Sequence, residues 1–133
     1  MSKSQRSQPS PTFDEVYQTV MQFTRDRKWD TSNTSRGLAI SISLEANELL
    51  EYYQWKDENF GNKKDLESEL ADIFIYAIEF ADKNKIDILP AIVRKLDKMA
   101  KKYPVEIFEI EDEAERNKVR LAAKQNYKKD TTL

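Results

Sequence analysis

Four acidic side chains form two short pairs, Glu45 with Glu48 and Glu69 with Asp72, in the most apolar stretches of a chain that is 35% charged. A carboxylate beside a packed face is costly to desolvate unless something positive compensates it. Residues three apart on a helix are surface neighbours, so each pair offers two carboxylates on one side. If the two segments are antiparallel neighbours, all four carboxylates converge, which predicts a site for a divalent cation.

The alternative interpretation of these pairs is an ordinary solvated face. Acidic pairs at the same spacing occur elsewhere in the chain, for example Glu79 with Asp82, so spacing alone favours the solvated face. The neighbouring residues favour the cation site, because Glu45 lies between Leu44 and Ala46 in a run of apolar residues.

The composition excludes several classes of chemistry. A chain of 133 residues is long enough for one domain with its own core. It contains no cysteine and no histidine, which excludes disulfides, thiolate or imidazole metal sites, cysteine nucleophiles and histidine bases. With 22 Lys+Arg against 24 Asp+Glu, the balance does not indicate a nucleic-acid or membrane-surface binder.

The chain also lacks the apolar segments of exported or membrane proteins. No apolar run approaches the roughly 20 residues of a membrane span. The polar start, residues 1–11, has no apolar centre of the kind that secretory signals contain. We therefore expect a cytoplasmic protein whose residues 1–11 are disordered.

Apolar residues recur at helical spacing, and only two glycines and four prolines interrupt them, so the chain is predicted to be all-α. Thr12 and Glu15 predict a capping box for a first helix that runs toward Trp29. A polar linker at 30–35 should follow. The second helix is predicted from Leu38 to Tyr53; residues 38–44 alternate and also fit a strand, but the helical phase continues beyond them.

Two more helices are predicted after a turn at 57–62. Asn62 is expected to cap the third, whose apolar stripe runs to Ala81. Asp87 is expected to cap the fourth, which ends at Tyr103-Pro104. The charged segment 105–133 is only weakly periodic, and it fits an extra helix, a tail, or an arm that orders on a partner.

The order Glu45-x-x-Glu48, twenty intervening residues, Glu69-x-x-Asp72 resembles the signature of the all-α nucleoside triphosphate pyrophosphohydrolases, the MazG-like superfamily. The resemblance covers roughly residues 13–104, and it looks closest to the dCTP pyrophosphatase branch. Further matches to that branch are Arg27-Lys28-Trp29, residues 44–49, Tyr53-Gln54-Trp55-Lys56, residues 69–73, Lys95-Leu96-Asp97 and Tyr103-Pro104.

The resemblance implies a four-helix bundle with a catalytic domain at 12–104 and a charged C-terminal extension at 105–133. It also implies Mg²⁺-dependent hydrolysis of a nucleoside triphosphate between the α and β phosphates, releasing a monophosphate and pyrophosphate. Glu45, Glu48, Glu69 and Asp72 would be the metal ligands. Since the chain has no histidine, we expect Glu48 or Glu45 to accept the proton from the attacking water.

The resemblance places other residues near the substrate. Lys95, and Lys101 or Lys102, lie where the family contacts phosphates, although solvated lysines on a polar face are an equally open interpretation. Tyr103 is a further expected substrate contact. Trp29 and Trp55 end predicted helices beside charged residues, and the corresponding tryptophans of the dCTP branch stack on the base. The alternative is that these two indoles plug the ends of the bundle.

The chain departs from the dCTP-type pattern at Met99, where the branch has asparagine, and at Val20, where it has histidine. These departures leave the substrate open among dCTP or a related pyrimidine nucleotide, dUTP and phosphoribosyl-ATP. A non-enzymatic acidic interaction module is the remaining alternative. Ile40, Ile75 and Tyr76 fall off the main stripes and predict self-association, and the superfamily implies a homotetramer built from dimers.

Overall fold

The computed structural model describes residues 9–55 and 61–130, which form six α-helices, one 3-10 helix and no β-strand. The elements are α1 (Phe13–Asp26), α2 (Trp29–Ser32), α3 (Ser35–Glu51), α4 (Lys63–Lys83), α5 (Ile88–Lys102), the 3-10 helix Val105–Glu109 and α6 (Glu113–Asp130). The predicted all-α class is confirmed. The expected disorder at 1–11 and the turn at 57–62 fall mostly outside the described residues.

Two of the three predicted helix caps are present. Thr12 and Glu15 form a capping box, in which the Thr12 N–H donates to Glu15 Oε2 at 2.7 Å. Asn62 and Asp65 form another at the start of α4, with both hydrogen bonds at 3.1 Å. Asp87 precedes α5, but its side chain makes no capping hydrogen bond. The predicted cap at Asp87 is therefore wrong, but the fourth predicted helix does begin directly after Asp87.

The first helix ends earlier than predicted. It stops at Asp26 because Lys28 adopts a left-handed conformation with φ 59°, which a right-handed helix cannot contain. The Lys28 N–H still donates to the Arg25 carbonyl at 2.9 Å, so this carbonyl at the helix end has a partner. Residues Trp29–Ser32 then form one helical turn, which corrects the prediction of a continuous polar linker from residue 30.

Helices α3 and α4 pack against each other as an antiparallel pair. Ser35 at the start of α3 donates a hydrogen bond from Oγ to Asn84 Oδ1, just after the end of α4, at 3.1 Å. At the other end, Glu48 of α3 interacts with Glu69 near the start of α4. Residues 38–44, which also fitted a strand, are helical. This helix pair carries the four acidic residues of the two pairs.

A small core fixes α1 against α4. Val20 and Met21 of α1 and Ile78 of α4 are buried together. Three half-buried apolar side chains, Phe13, Tyr17 and Ile75, pack around them. Because Ile75 belongs to this core, it is a weaker candidate for a subunit contact than Ile40, which is 49% exposed.

The short helix α2 is held to the C-terminal half of α4 by polar contacts. Asn33 donates from Nδ2 to Glu79 Oε2 at 3.0 Å, and Lys83 Nζ donates to the Asp30 carbonyl at 3.0 Å. Glu79 is only 5% exposed. These contacts fix the segment that begins with Trp29.

Buried Glu79 predicts a pH dependence of stability. Burial raises its pKa, and the hydrogen bond from Asn33 opposes the shift. Asp30, Asp82 and Lys83 line the same small cavity. A carboxyl with a raised folded-state pKa holds its proton longer when folded, so stability falls as pH rises through that pKa. Substitution Glu79→Gln keeps an acceptor for the amide and is expected to raise Tm at pH 8 and less at pH 5.

Differential scanning fluorimetry at the two pH values measures this effect. The matched control is Glu67→Gln on the same helix, because Glu67 is exposed and pairs with Lys63 at 3.6 Å. We expect the control to change Tm little at either pH. An equal gain in Tm for Glu79→Gln at pH 5 and pH 8 would show that removal of a buried charge is not the cause.

Contacts divide the chain into two units, Met1–Ile86 and Asp87–Leu133. The second unit contains α5, the 3-10 helix and α6, and α6 contacts both of the others. No residue of α5 is buried, and its apolar residues Ile92, Val93, Leu96 and Met99 are 44–58% exposed. Within the second unit, the apolar face of α5 is therefore left uncovered.

The structure decides between the alternatives for the charged segment after residue 104. That segment contains the 3-10 helix and the long helix α6, which agrees with an extra helix and excludes an unstructured tail over residues 113–130. The predicted organisation into 12–104 and 105–133 stays a prediction. None of the described helices is both long and apolar enough to cross a membrane.

Candidate metal centre

The antiparallel register of α3 and α4 brings the two acidic pairs to the same level of the helix pair. The charge of the Asp72 carboxylate helps to raise the pKa of Glu45, and the charge of the Glu48 carboxylate helps to raise the pKa of Glu69. Glu45 therefore lies opposite Asp72, and Glu48, three residues further along α3, lies opposite Glu69, three residues earlier in α4. Each pair spans one helical turn, so the four acidic residues lie on the facing sides of the two helices.

Three of the four predicted ligands offer oxygens that lie close together. One carboxylate oxygen from each of Glu45, Glu48 and Glu69 lies within 4.8 Å of the other two. Oxygens bound to the same Mg²⁺ at 2.0–2.1 Å are at most about 4.2 Å apart. The three carboxylates are thus almost at the spacing of a shared cation, and small side-chain rotations would complete it.

The fourth predicted ligand, Asp72, lies outside this group of three. Its charge nevertheless helps to raise the pKa of both Glu45 and Glu69. Asp72 is half-buried on the same face of α4 as Glu69. It is therefore positioned beside the cluster, as an additional ligand or as a partner for water and substrate.

The electrostatics of the cluster favour a bound cation. Desolvation is the main cause that raises the pKa of Glu45, and the charges of Glu48 and Asp72 add to it. Desolvation also raises the pKa of Glu69, together with a hydrogen bond to Glu48 and the nearby carboxylates. No lysine or arginine among the described residues forms an ion pair with these carboxylates. A divalent cation would relieve this repulsion, so the residues fit a metal ion.

Two tyrosines border the cluster, one on each side. Tyr52 follows Glu48 by one turn, and Tyr76 follows Asp72 by one turn. Burial raises the pKa of both phenols, and the cluster carboxylates raise it further. Both hydroxyls therefore stay protonated and can donate hydrogen bonds to an anionic ligand.

Sequence reasoning assigned Tyr76 to the core or an interface and did not single out Tyr52. The four-residue spacing from Glu48 and from Asp72 was the available indication. Nothing in the sequence shows, however, that Tyr52 lies against Gly61. A Cβ on that glycine would approach Tyr52 Cδ1 to 2.5 Å, so the glycine makes room for the ring.

Trp29 begins α2 and is 41% exposed. Its ring meets Phe23 edge-on, with 5.7 Å between ring centres, and the Arg27 guanidinium lies 3.5 Å from the Phe23 ring centre. Trp29 also lines the small cavity that contains Glu79. The indole is thus held in place by its neighbours and still presents a substantial surface.

Trp55 lies beyond the other end of α3 and is 81% exposed. Trp29 borders Leu38 near the start of α3. From Leu38 to the last residue of the helix, Glu51, α3 rises about 20 Å at 1.5 Å per residue. The two tryptophans therefore lie toward opposite ends of α3, with the carboxylates of Glu45 and Glu48 between them.

The other predicted substrate contacts belong to the second unit. Lys95 is exposed on α5, and Lys102 is the last residue of that helix. The Lys102 Nζ lies 5.2 Å from the centre of the Tyr103 ring. Their predicted roles toward a triphosphate stay predictions.

Known proteins resemble this chain in sequence and in fold. Residues 40–116 match the MazG-like family. This range begins within α3, includes α4, α5 and the 3-10 helix, and ends in the first turn of α6. All four acidic residues of the candidate site lie inside it.

Two curated relatives are each a dCTP pyrophosphatase 1. The Mus musculus protein is 27% identical over 110 residues, which are 77% of this chain and 65% of the relative. The Bos taurus protein is 30% identical over 105 residues, 73% of this chain and 62% of the relative. The chain thus spans less than two thirds of the length of either relative.

A solved structure has a similar fold. The crystal structure of a pyrophosphatase from Archaeoglobus fulgidus DSM 4304 superposes with a TM-score of 0.61 and 30% sequence identity. The match covers 73% of this chain and 96% of that chain. Nearly the whole archaeal protein therefore has a counterpart in the helices described above.

Proposed function

This chain belongs to the MazG-like family, and on that premise we propose that it is a nucleoside triphosphate pyrophosphohydrolase. The proposed reaction hydrolyses the bond between the α and β phosphates and releases a nucleoside monophosphate and pyrophosphate. The proposed metal is Mg²⁺. The names of the relatives, two dCTP pyrophosphatases and a pyrophosphatase, support this reaction class.

The observation that supports the proposal most strongly is the group of three carboxylate oxygens within 4.8 Å of one another. Glu45, Glu48 and Glu69 supply them, and Asp72 stands beside them as the proposed fourth ligand. Like charges at this spacing repel each other, and a bound cation would offset that repulsion. A triphosphate, itself an anion, would approach such a surface only through a cation.

When bound, Mg²⁺ supplies charge neutralisation for the phosphates and acidifies water, as in other metal-assisted hydrolyses. The chain's own residues do the remaining work. The carboxylate of Glu48 or Glu45 accepts a proton from the attacking water, since the chain has no histidine to do so. Tyr52 and Tyr76, whose hydroxyls remain protonated, are placed to donate hydrogen bonds to phosphate oxygens.

We propose dCTP or a related pyrimidine nucleotide as the substrate. The support is the similarity to two proteins named dCTP pyrophosphatase 1 and the two partly or largely exposed indoles. Because Met99 and Val20 depart from the dCTP-type pattern, dUTP and phosphoribosyl-ATP remain the candidates to test beside it. The cytoplasmic location expected from the composition stays a prediction.

We also propose that the active protein is a homo-oligomer, as a dimer of dimers. Trp29 and Trp55 lie toward opposite ends of α3, so two indoles on one base would come from two copies of the chain. Exposed apolar residues on α3, α4 and α5, such as Leu44, Phe74 and Leu96 at 54–57% exposure, offer surfaces for association. Light scattering after gel filtration should give a multiple of the 15.6 kDa chain mass.

A nucleotide panel assayed with and without Mg²⁺ tests the function. Released pyrophosphate is cleaved by added inorganic pyrophosphatase and detected as phosphate with malachite green, and omission of that enzyme shows any direct phosphate release. We expect Mg²⁺-dependent signal that needs the added enzyme, highest with dCTP or a modified pyrimidine nucleotide. No signal with any triphosphate would instead support a non-enzymatic acidic interaction module.

A further inference from the structure

A second pocket lies between α6 and the 3-10 helix, entirely within the second unit. It has a volume of about 350 Å³ and is lined by Tyr103, Phe108, Arg120, Leu121 and Lys124. Ligand pockets usually range from about 300 to 1,000 Å³, so this one has room for one small molecule. None of the four predicted metal ligands lines it, and of the predicted substrate contacts only Tyr103 does.

The charge of the pocket comes from two cations on one face of α6. Arg120 and Lys124 are four residues apart, so their side chains are neighbours on the helix. Neither forms an ion pair with an acidic side chain among the described residues, and no acidic residue lines the pocket. A planar guanidinium beside an ammonium is well suited to a phosphate group.

The other residues that line the pocket have aromatic or aliphatic side chains. Phe108 and Leu121 are 52% and 54% exposed, so they leave apolar surface open to a ligand. Tyr103 adds a second aromatic ring. The Lys102 ammonium lies between aromatic rings at the same end of α5, 5.2 Å from the Tyr103 centre and 5.3 Å from the Tyr127 centre. Such a surface suits a planar ring that is attached to the anion.

The walls of the pocket are held in place. The Tyr103 backbone N–H donates to the Met99 carbonyl at 2.8 Å, which ties the backbone of Tyr103 to the last turn of α5. Ile107 of the 3-10 helix is buried. The guanidinium of Arg116 in α6 donates from Nη1 to the Ile110 carbonyl at 3.0 Å, which fixes the start of α6 beside the 3-10 helix. The lining residues thus belong to segments that contact one another, namely the end of α5, the 3-10 helix and α6.

We propose that this pocket binds a small organic phosphate with a planar ring, of which a nucleoside monophosphate is the simplest example. Arg120 and Lys124 hold the phosphate, and Phe108 and Tyr103 contact the ring. Arg120, Leu121 and Lys124 lie beyond residues 40–116, the range that matches the family. Both cations of the pocket therefore lie outside the range of the family match, while Tyr103 and Phe108 lie inside it. The proposed binding does not require the hydrolysis to occur.

Calorimetric titration of the full chain in EDTA tests the proposal. Without a divalent cation the acidic cluster repels anions, so binding there is suppressed and the second pocket is observed alone. The probes are dCMP, inorganic phosphate and deoxycytidine. We expect dCMP to bind with at least about tenfold higher affinity than either part alone, because it uses both the cations and the rings.

Matched variants locate the binding. Arg120→Gln and Lys124→Gln should each weaken dCMP binding about tenfold or more, since each removes a charged hydrogen-bond donor. Lys118→Gln removes the same charge from the same helix, but Lys118 does not line the pocket, so its affinity should be unchanged. Asp72→Asn should also bind normally.

Three results would overturn the proposal. Equal weakening by Lys118→Gln would show a diffuse charge effect. A changed dCMP affinity in Asp72→Asn would move the ligand to the acidic cluster, because removal of one negative charge there alters the repulsion of an anion. A wild-type chain that binds no dCMP would remove the site. The hydrolysis assay is a separate measurement, so failure of the proposed function would leave this result intact.

Discussion

Replacement of Asp72 by Asn or of Glu48 by Gln is expected to lower the turnover of the triphosphate at least about a hundredfold, or ~2.7 kcal/mol of transition-state stabilisation. Each change keeps the size of the side chain and removes one negative charge from the centre. The cation is then held less tightly, and for Glu48→Gln a candidate proton acceptor is lost as well. Steady-state rates with saturating Mg²⁺ and substrate measure the effect.

Glu67→Gln is the matched control for this pair of variants. It lies on α4 near Glu69, but its exposed carboxylate pairs with Lys63 at 3.6 Å, so activity should stay near normal. Circular dichroism should show intact helices in all three variants. Asp72→Asn and Glu48→Gln each remove one like charge from the cluster, and Glu67→Gln removes an exposed ion pair that contributes little to stability. Near-normal turnover in Asp72→Asn or Glu48→Gln would remove that residue from the mechanism.

Removal of either indole is expected to weaken substrate binding. Stacking of a base on an aromatic ring is worth roughly 1–3 kcal/mol, which predicts that Trp29→Ala or Trp55→Ala raises KM about 5- to 150-fold. Trp29 is already held by its edge contact with Phe23, so little ordering is needed when a base binds there. Turnover at saturation should change less than KM, because the carboxylates are untouched.

Conservative variants separate stacking from packing. Trp29→Phe and Trp55→Phe keep a flat ring and should retain most of the affinity that the alanine variants lose. Titration of the wild-type chain with a non-hydrolysable analogue of the triphosphate, in the presence of Mg²⁺, should quench or shift tryptophan emission. If both alanine variants bind as tightly as the wild type, the indoles serve only to fill the ends of the helices.

Local physics made most helix positions predictable from the sequence. Thr12 with Glu15, and Asn62, marked two helix starts because side-chain oxygens there satisfy backbone N–H groups that have no partner within the helix. The alternating residues 38–44 fitted two structures, and the longer 3.6-residue phase through Tyr53 favoured the one that forms. The break at Lys28 was not predictable, because a left-handed lysine has no reliable sequence signature.

The acidic cluster was the most predictable part of the site. Its four residues were identified by spacing and apolar neighbours, and the antiparallel register then brings Glu45, Glu48 and Glu69 together. Sequence alone did not give that register, since it depends on how α3 and α4 pack. For the same reason it did not reveal that Tyr52 lies against Gly61, or that Trp29 and Trp55 lie toward opposite ends of α3.

The other features that the sequence did not predict depend on contacts between segments that are far apart in the chain. The link from Asn33 to Glu79 joins residues far apart in the chain, and no periodicity encodes it. The pocket beside α6 was not predicted either, because nothing in the sequence distinguishes Arg120 and Lys124 from ordinary solvated charges. Only the packing of α6 on the 3-10 helix places aromatic rings next to them.

Calorimetric titration of the wild-type chain with Mg²⁺ tests most directly whether the carboxylates of α3 and α4 share a cation. The account predicts saturable uptake that is greatly weakened in a Glu48→Gln/Glu69→Gln double variant and unchanged in Glu67→Gln. A folded wild-type chain that takes up no Mg²⁺, or a double variant that takes it up equally well, would contradict the account.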